Sequence, residues 1–327
     1  MNTITYQAPL AYALPSTRKL YVAPISSELT ELVSAKLPSE GIYKTDIAGL
    51  ELFRVDAPTS CMPTVYEPSL CVIAQGRTTV QLGDHDIVYG ALSCMMSSVE
   101  LPADGRVVDA SPEHPFLAVK INMDLAEVAE LVLQLGNAAT TVEASDRPYS
   151  ECGLWFAQVD MGMLDALIRL VRLLDAPTDA PILAPLIRRE IVYRVLIGEE
   201  GARIREFVSA DSQLNRISRV ISMLKDRFAE TLRARDLAKD FNMSESTFYH
   251  SFKQVTRMSP LQFQKRLRLH EARRLMLREG LEAATASFRV GYESPSHFSR
   301  EYRRMFGAPP RADVVKLRGE TGMGVSG

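Results

Sequence analysis

From Gly49 to Met123 short apolar runs are broken by turn residues: LELFRV, SLCVIAQG, TTVQLG, DIVYG, ALSCMMSS and FLAVKINM. Runs of this kind at a spacing of roughly 8 to 12 residues predict short strands in a sandwich or small barrel. Beyond Asp124 the period becomes helical, in DLAEVAELVLQL, then MLDALIRLVRLLD, then PILAPLIRREIVYRVLIG. In the second of these Leu164, Leu167, Ile168, Val171 and Leu174 form one stripe, which either covers the barrel or meets a second subunit; packing within the chain is the commoner arrangement. Ahead of the strands, Pro9, Pro15, Pro24 and Pro38 interrupt any lasting period, so residues 1–40 read as a loosely ordered leader with one short helix around 26–36. The glycine- and charge-containing segment 198–212 reads as a domain boundary, and everything after it reads as helical.

A chain of 327 residues exceeds one ordinary hydrophobic core. The pattern divides it into a leader (1–40), a barrel with helices (41–200) and a helical domain (211–318). Charge sharpens this division. Residues 1–210 hold 16 Lys+Arg against 27 Asp+Glu, a net −11, whereas 211–327 hold 22 against 13, a net +9. A basic third joined to an acidic remainder is the asymmetry expected when one domain meets a polyanion and the other does not. The first 20 residues lack the basic start and apolar run of a secretory signal, and no stretch of 18 apolar residues occurs; a soluble cytoplasmic protein with no membrane partner is expected.

The helical third contains two units of one form. DLAKDF (236–241) leads through Asn242 and Met243 to Ser244 and then ESTFYHSFKQVT, that is, helix, tight turn, helix. Ser244 is placed to accept from free N–H groups of the next turn. Phe248 and Phe252, four apart, point inward, which leaves Ser246, Thr247, Tyr249, His250 and Lys253 outward. About 50 residues on, AATASFRV (283–290) leads through Gly291 to Ser294 and PSHFSREYRRMFG, with Pro295 at the first helical position, where its missing N–H costs nothing. Phe298, Tyr302 and Phe306 form the inner face; Ser296, His297, Ser299, Arg300, Arg303 and Arg304 project outward, a face suited to guanine edges and phosphates. Between the units, SPLQ opens a helix with a capping box and Gly280 closes it. At ~1.5 Å per residue that helix spans roughly 30 Å, close to the ~34 Å between successive major-groove faces. It also carries Lys265, Arg266, Arg268, Arg273 and Arg274, open to phosphates or simply solvated.

Residues 214–318 resemble the C-terminal domain of the AraC/XylS family of regulators, through SPLQFQKRLRLHEARRLML and GYESPSHFSREYRRMFGAPP. The resemblance implies double-stranded DNA as partner. It implies base reading by Ser246, Tyr249 and His250 in the first unit and by Ser296, His297 and Arg300 in the second; the outward Lys253, Arg303 and Arg304 are expected on phosphates. Two departures are present: Ser246 is short where a longer reader is often found, and ATASFRV replaces the family's more usual isoleucine-alanine start. Residues 40–195 resemble the N-terminal domain of one branch of the same family, in RVDAPT, VYEPSLCVIAQG and ASPEHPFLAVKI. That implies an α+β multidomain chain: a cupin-like β-barrel sensing a small-molecule effector, helices that form a homodimer, and an all-α domain with two helix-turn-helix units that activates transcription with RNA polymerase.

Tyr66, Glu67, Cys71 and Gln75, on the run YEPSLCVIAQG, are the candidate effector contacts. A cupin enzyme would need several His and Glu ligands clustered on neighbouring strands. This region offers only His85, in the turn-like GDHD, and His114, between prolines, with no HxH pair; no metal, cofactor or catalytic role is expected. The four cysteines, Cys61, Cys71, Cys94 and Cys152, form no CxxC pair, and neither Cys71 nor Cys94 has a lysine or arginine within five residues, so reduced and mostly buried thiols are expected.

Overall fold

The computed structural model describes residues 27–82, 85–136, 153–198, 200–208 and 212–322. Among the described residues, ten strands form two antiparallel sheets. The first has the order β1-β2-β9-β4-β7-β10 and the second β3-β8-β5-β6, built from β1 (Gly41–Lys44), β2 (Leu50–Val55), β3 (Met62–Tyr66), β4 (Ser69–Gln75), β5 (Arg77–Leu82), β6 (His85–Gly90), β7 (Ser93–Ser97), β8 (Leu101–Asp109), β9 (Phe116–Asn122) and β10 (Leu154–Gln158).

Register decides which side chains meet. Leu50, Ile121, Leu70, Met96 and Trp155 stand in one cross-strand row and Leu52, Val119, Val72 and Cys94 in the next. This face of the larger sheet turns to helices, with Trp155 edge-on to Phe207 at 5.3 Å. The alternate row, Glu51, Lys120, Cys71, Met95 and Phe156, looks toward the smaller sheet, where Tyr89 meets Phe156 at 5.1 Å.

The covering helices are α1 (27–35), α2 (Leu125–Leu135), α3 (Met161–Arg172), α4 (Ala180–Ile197) and α5 (Gly201–Val208). The stripe on α3 packs within the chain, Leu164, Leu167, Ile168 and Val171 all being buried. Although α1 lies in the segment read as a leader, it is built into the barrel: Leu29, Val33 and Leu37 are fully buried, and Thr30 donates to the Ala74 carbonyl at 3.1 Å. This is the short helix read around 26–36; what the sequence does not show is that its three apolar positions at i, i+4 and i+8 pack into the barrel.

The remaining helices are α6 (Gln213–Asp226), α7 (Ala234–Asp240), α8 (Glu245–Thr256), α9 (Pro260–Arg278), α10 (Ala283–Arg289), α11 (Pro295–Phe306) and α12 (Pro310–Gly322). Two buried clusters organise them. One runs from the barrel through Ile217, Phe248, Phe252 and Phe263 to Leu267, and the other starts at Leu269 and takes in Ala286, Phe298 and Tyr302. The division falls inside α9, so a single helix carries both units.

Candidate nucleic-acid interface

Each unit begins its second helix at a serine. Ser244 Oγ accepts from the Thr247 N–H at 3.2 Å and Ser294 Oγ from the His297 N–H at 3.3 Å. Each cap supplies an acceptor to an N–H with no intrahelical partner, which fixes where α8 and α11 start. Between α7 and α8 Asn242 adopts the left-handed conformation at φ +53°. At the equivalent turn Gly291 (φ +87°) lies so near the Ala229 carbonyl that a Cβ would stand 2.2 Å from its oxygen. Glycine is therefore required there.

Inner faces are aromatic in both helices: Phe248 and Phe252 on α8, Phe298 and Tyr302 on α11 are all fully buried. With those side chains fixed, the helical period turns Ser246, Tyr249, His250 and Lys253 of α8 to solvent, together with Ser296, His297, Arg300, Arg303 and Arg304 of α11. Tyr249 is 43% exposed despite its size. His297 rests edge-on against Tyr292 at 5.8 Å. Thr247 and Ser299 are half-buried. The 19 residues of α9 separate the units by roughly 28 Å at ~1.5 Å per residue. The capping box of Ser259 and Gln262 is present at its start and Gly280 follows its end at φ +69°.

The basic residues of α9 have structural partners. Arg268 donates to the Phe228 carbonyl at 2.7 Å, Gly291 at 2.9 Å, Ala229 at 3.2 Å and Glu230 at 2.9 Å, tying the loop before α7 to the turn before α11. Arg273 makes a bidentate pair with Asp313 at 2.8 and 3.0 Å, Arg274 binds Glu271, Lys265 binds Glu301 at 3.0 Å and Arg266 reaches Asp104 of β8 at 3.5 Å. For Lys265, Arg266, Arg268 and Arg273, carboxylates and carbonyls far away in sequence thus hold side chains that the linear pattern leaves open to solvent or phosphate. Asp313, which takes the Tyr302 hydroxyl at 2.7 Å as well as Arg273, carried no sequence signal beyond its place in a helix.

In the barrel, Tyr66 shares the inner face of the smaller sheet with Leu101 and Ala103, its hydroxyl lying over Gly105, where no Cβ obstructs it. Cys71 belongs to the inward row of the larger sheet, and burial raises the phenol of Tyr66 and pushes the Cys71 thiol up to about 12, against a smaller lowering by Lys120. Cys94, on the helix side, is raised to about 12 by burial. Tyr66 and Cys71 therefore converge, whereas Gln75 donates to the Pro115 carbonyl at 2.8 Å and Glu67 turns outward, 59% exposed, with Lys120 3.7 Å away. Lys120 also binds Glu51 at 3.2 Å; sequence reasoning missed this inward cation, which its register opposite Cys71 identifies only once the strands are paired. His85 starts β6, and His114 is exposed in the turn closed by its bonds to Ser111. Cys152 lies outside the described residues. Among the described residues there is no group of three or more His, Cys, Asp or Glu able to hold a metal, and no helix is long and apolar enough to cross a membrane.

Residues 46–203 match the family described as the AraC-type transcriptional regulator N-terminus, and residues 237–313 match a helix-turn-helix domain family. The HTH-type transcriptional activator RhaS of Escherichia fergusonii is 28% identical over 155 residues, 47% of this chain and 55% of that protein; RhaS of Salmonella typhimurium is 28% identical over 156 residues, with the same coverage. The chain thus spans about half the length of these curated relatives. ToxT from Vibrio cholerae has the same fold, with a TM-score of 0.55 at 12% identity over 81% of this chain and 97% of that one. A form of ToxT with bound unsaturated fatty acid gives a TM-score of 0.50 at 11% identity, over 81% and 93%.

Proposed function

The chain belongs to the AraC/XylS family of transcriptional regulators, and we propose that it activates transcription from double-stranded DNA under control of a small-molecule effector held in the barrel. The observation that carries this reading is the pair of serine-capped helices with exposed polar faces, carried at the two ends of a 19-residue helix whose roughly 28 Å approaches the ~34 Å of a DNA turn. Residues 211–318 then form the DNA-binding domain and 41–200 the sensing and dimerisation domain, acting in the cytoplasm. Ser246, Tyr249 and His250, with Ser296, His297 and Arg300, read bases; Lys253, Arg303 and Arg304 hold phosphates. Tyr66 and Cys71 meet the effector, with Glu67 and Gln75 shaping the chamber through Lys120 and the Pro115 carbonyl. We assign no catalytic role and no cofactor; Tyr66 and Cys71, both raised by burial, would meet an effector as neutral groups.

A homodimer accounts for α4, where Ile182, Leu186, Tyr193 and Ile197 fall on one helical face and stand 70%, 61%, 40% and 39% exposed. A second copy supplies a matching stripe, so the contact closes on itself and brings two DNA-binding domains to one promoter, where RNA polymerase is the partner in activation. Leu186→Asp is expected to convert the dimer to a folded monomer by light scattering; a dimer unchanged by it would remove α4 from the interface.

The test of the whole reading is fluorescence anisotropy on DNA from upstream of the protein's own and adjacent genes against scrambled DNA, at two salt concentrations. Preferential binding that survives moderate salt is expected. Arg300→Ala should cost about 1–3 kcal/mol and relax preference at one base, whereas Lys253→Ala should weaken all sequences alike and flatten the salt dependence. Equal binding to every sequence, persisting through selection from random DNA, would refute the regulator.

A further inference from the structure

The ends of the two recognition helices bound a cleft of about 570 Å³, lined by Lys253 and Arg257 from the end of α8, Lys265, Arg266 and Leu269 from α9, and Arg304 from α11. Five cations on three elements surround one acid, Glu301, which Lys265 engages. Lys253 and Arg304 have no ion-pair partner among the described residues and stand exposed at the rim. DNA read by α8 and α11 in successive major grooves must carry its backbone between them, and cations between two reading heads are placed to fix register on that backbone.

The acid that meets Arg266 comes from the other domain. Asp104 lies on β8, next to β3, and Arg266 bonds both its carboxylate at 3.5 Å and the Pro102 carbonyl at 3.4 Å. The pair is mostly shielded, with side-chain exposures of 28% and 16%, so solvent screens it less than a surface pair. Nearby, Glu100 pairs with Lys225 of α6, and the Gly153 N–H donates to the Val255 carbonyl near the end of α8 at 2.9 Å. Alternation along β8 gives the dock its meaning. Pro102 and Asp104 point outward to α9, while Leu101 and Ala103 point inward beside Tyr66. One strand pair, β3 and β8, thus at once faces the barrel interior beside Tyr66 and rests on the DNA-binding domain.

We propose that this cleft is a phosphate-binding cradle for the DNA backbone between the two reading heads, and that Asp104 of the barrel competes with DNA for Arg266. Docking of the barrel and tight backbone binding then oppose one another. An effector that shifts Tyr66 or the inner face of β8 changes the docking, and by the reciprocity of linked equilibria DNA changes it too. This rests on the DNA-binding reading above and adds the site and the regulator of its electrostatic part.

The test is Asp104→Asn in the full-length protein, titrated by anisotropy onto an operator duplex and a scrambled duplex of equal length over a series of salt concentrations. The variant should bind both duplexes about two- to five-fold more tightly at low salt, the worth of one partly shielded ion pair. Its slope of log K against log salt should steepen by about 0.9, one further phosphate contact. In an Arg266→Ala background the same substitution should change neither quantity. Asp104→Ala, which introduces no buried donor, repeats the measurement should the asparagine disturb folding. Unaltered affinity and slope in Asp104→Asn and Asp104→Ala, or tightening that persists without Arg266, overturns the competition. Loss of all discrimination between operator and scrambled DNA in the wild type instead defeats the regulator reading, and the cradle with it.

Discussion

Removing the carboxylate of Asp313 tests how the second reading head is held in place. Asp313 is 4% exposed. It accepts two bonds from Arg273 at 2.8 and 3.0 Å and one from the Tyr302 hydroxyl at 2.7 Å, and so fastens α12 and α9 to the buried side of α11. In Asp313→Ala the Arg273 guanidinium, whose side chain is 14% exposed, stays in place without its counter-charge. Breaking such a pair from one side costs about 3–5 kcal/mol; the stacking of Arg273 on the Phe306 ring at 4.4 Å survives and favours the lower end, about 3 kcal/mol. At one tenfold per ~1.4 kcal/mol, amide hydrogen exchange in α11 and α12 should accelerate roughly 100-fold. Trp155, which sits in the barrel, should report an unchanged unfolding midpoint for that domain. Tyr302→Phe leaves the ion pair whole and should cost only about 1 kcal/mol, the worth of one hydrogen bond. Less than a five-fold acceleration in Asp313→Ala, or a larger effect from Tyr302→Phe, would refute the ion-pair account of this anchor.

Ser294→Ala should lower the stability of α11 by about 1 kcal/mol, read as faster exchange of its first-turn amides; a loss confined to the far end of the helix would contradict capping. Burial, reinforced by Arg266 and Arg273, depresses His270 to about 3. Its folded form stays neutral while the unfolded chain takes up a proton below ~6.5. Stability is therefore present above pH 6.5 and lost as pH falls toward 3, by about 2 kcal/mol between pH 6.5 and 5, and His270→Gln should flatten that part of the pH–stability curve. With the Cys71 and Cys94 thiols at about 12, iodoacetamide at pH 8 should modify exposed Cys61 and leave both untouched by peptide mass spectrometry. Rapid labelling of Cys71 would show a thiolate that its surroundings do not support.

Much of the geometry of the proposed DNA-facing helices was legible because its causes are local. Ser244 and Ser294 cap the helices they begin, Phe248, Phe252, Phe298 and Tyr302 set which faces turn inward, and the length of α9 sets the spacing; each depends on residues within a few turns. The barrel site was legible only in part. SLCVIAQG was rightly read as strand, yet Lys120 joins the inward row through pairing across β9 and β4, and Gln75 spends its amide on Pro115. The short helix read at 26–36 is present as α1, but its packing was not legible: Leu29, Val33 and Leu37 are buried against the barrel core.

By itself, then, the sequence determined six strands of the barrel (β2, β4, β5, β6, β7 and β9), the two capped units and the opposed charges of the two parts, since periodicity, capping and net charge are properties of neighbouring residues or of simple sums; β10, which pairs with β7, lies in the stretch read as helical, where only sheet pairing reveals it. Tertiary structure alone decided what those charges do. Arg268 became a clip for four carbonyls, Arg273 an anchor for Asp313 40 residues away, and Arg266 the partner of Asp104 at a separation of 162 residues. An ion pair or hydrogen bond has a definite energy only once burial sets the local dielectric and the backbone sets the distance, and the folded chain fixes both.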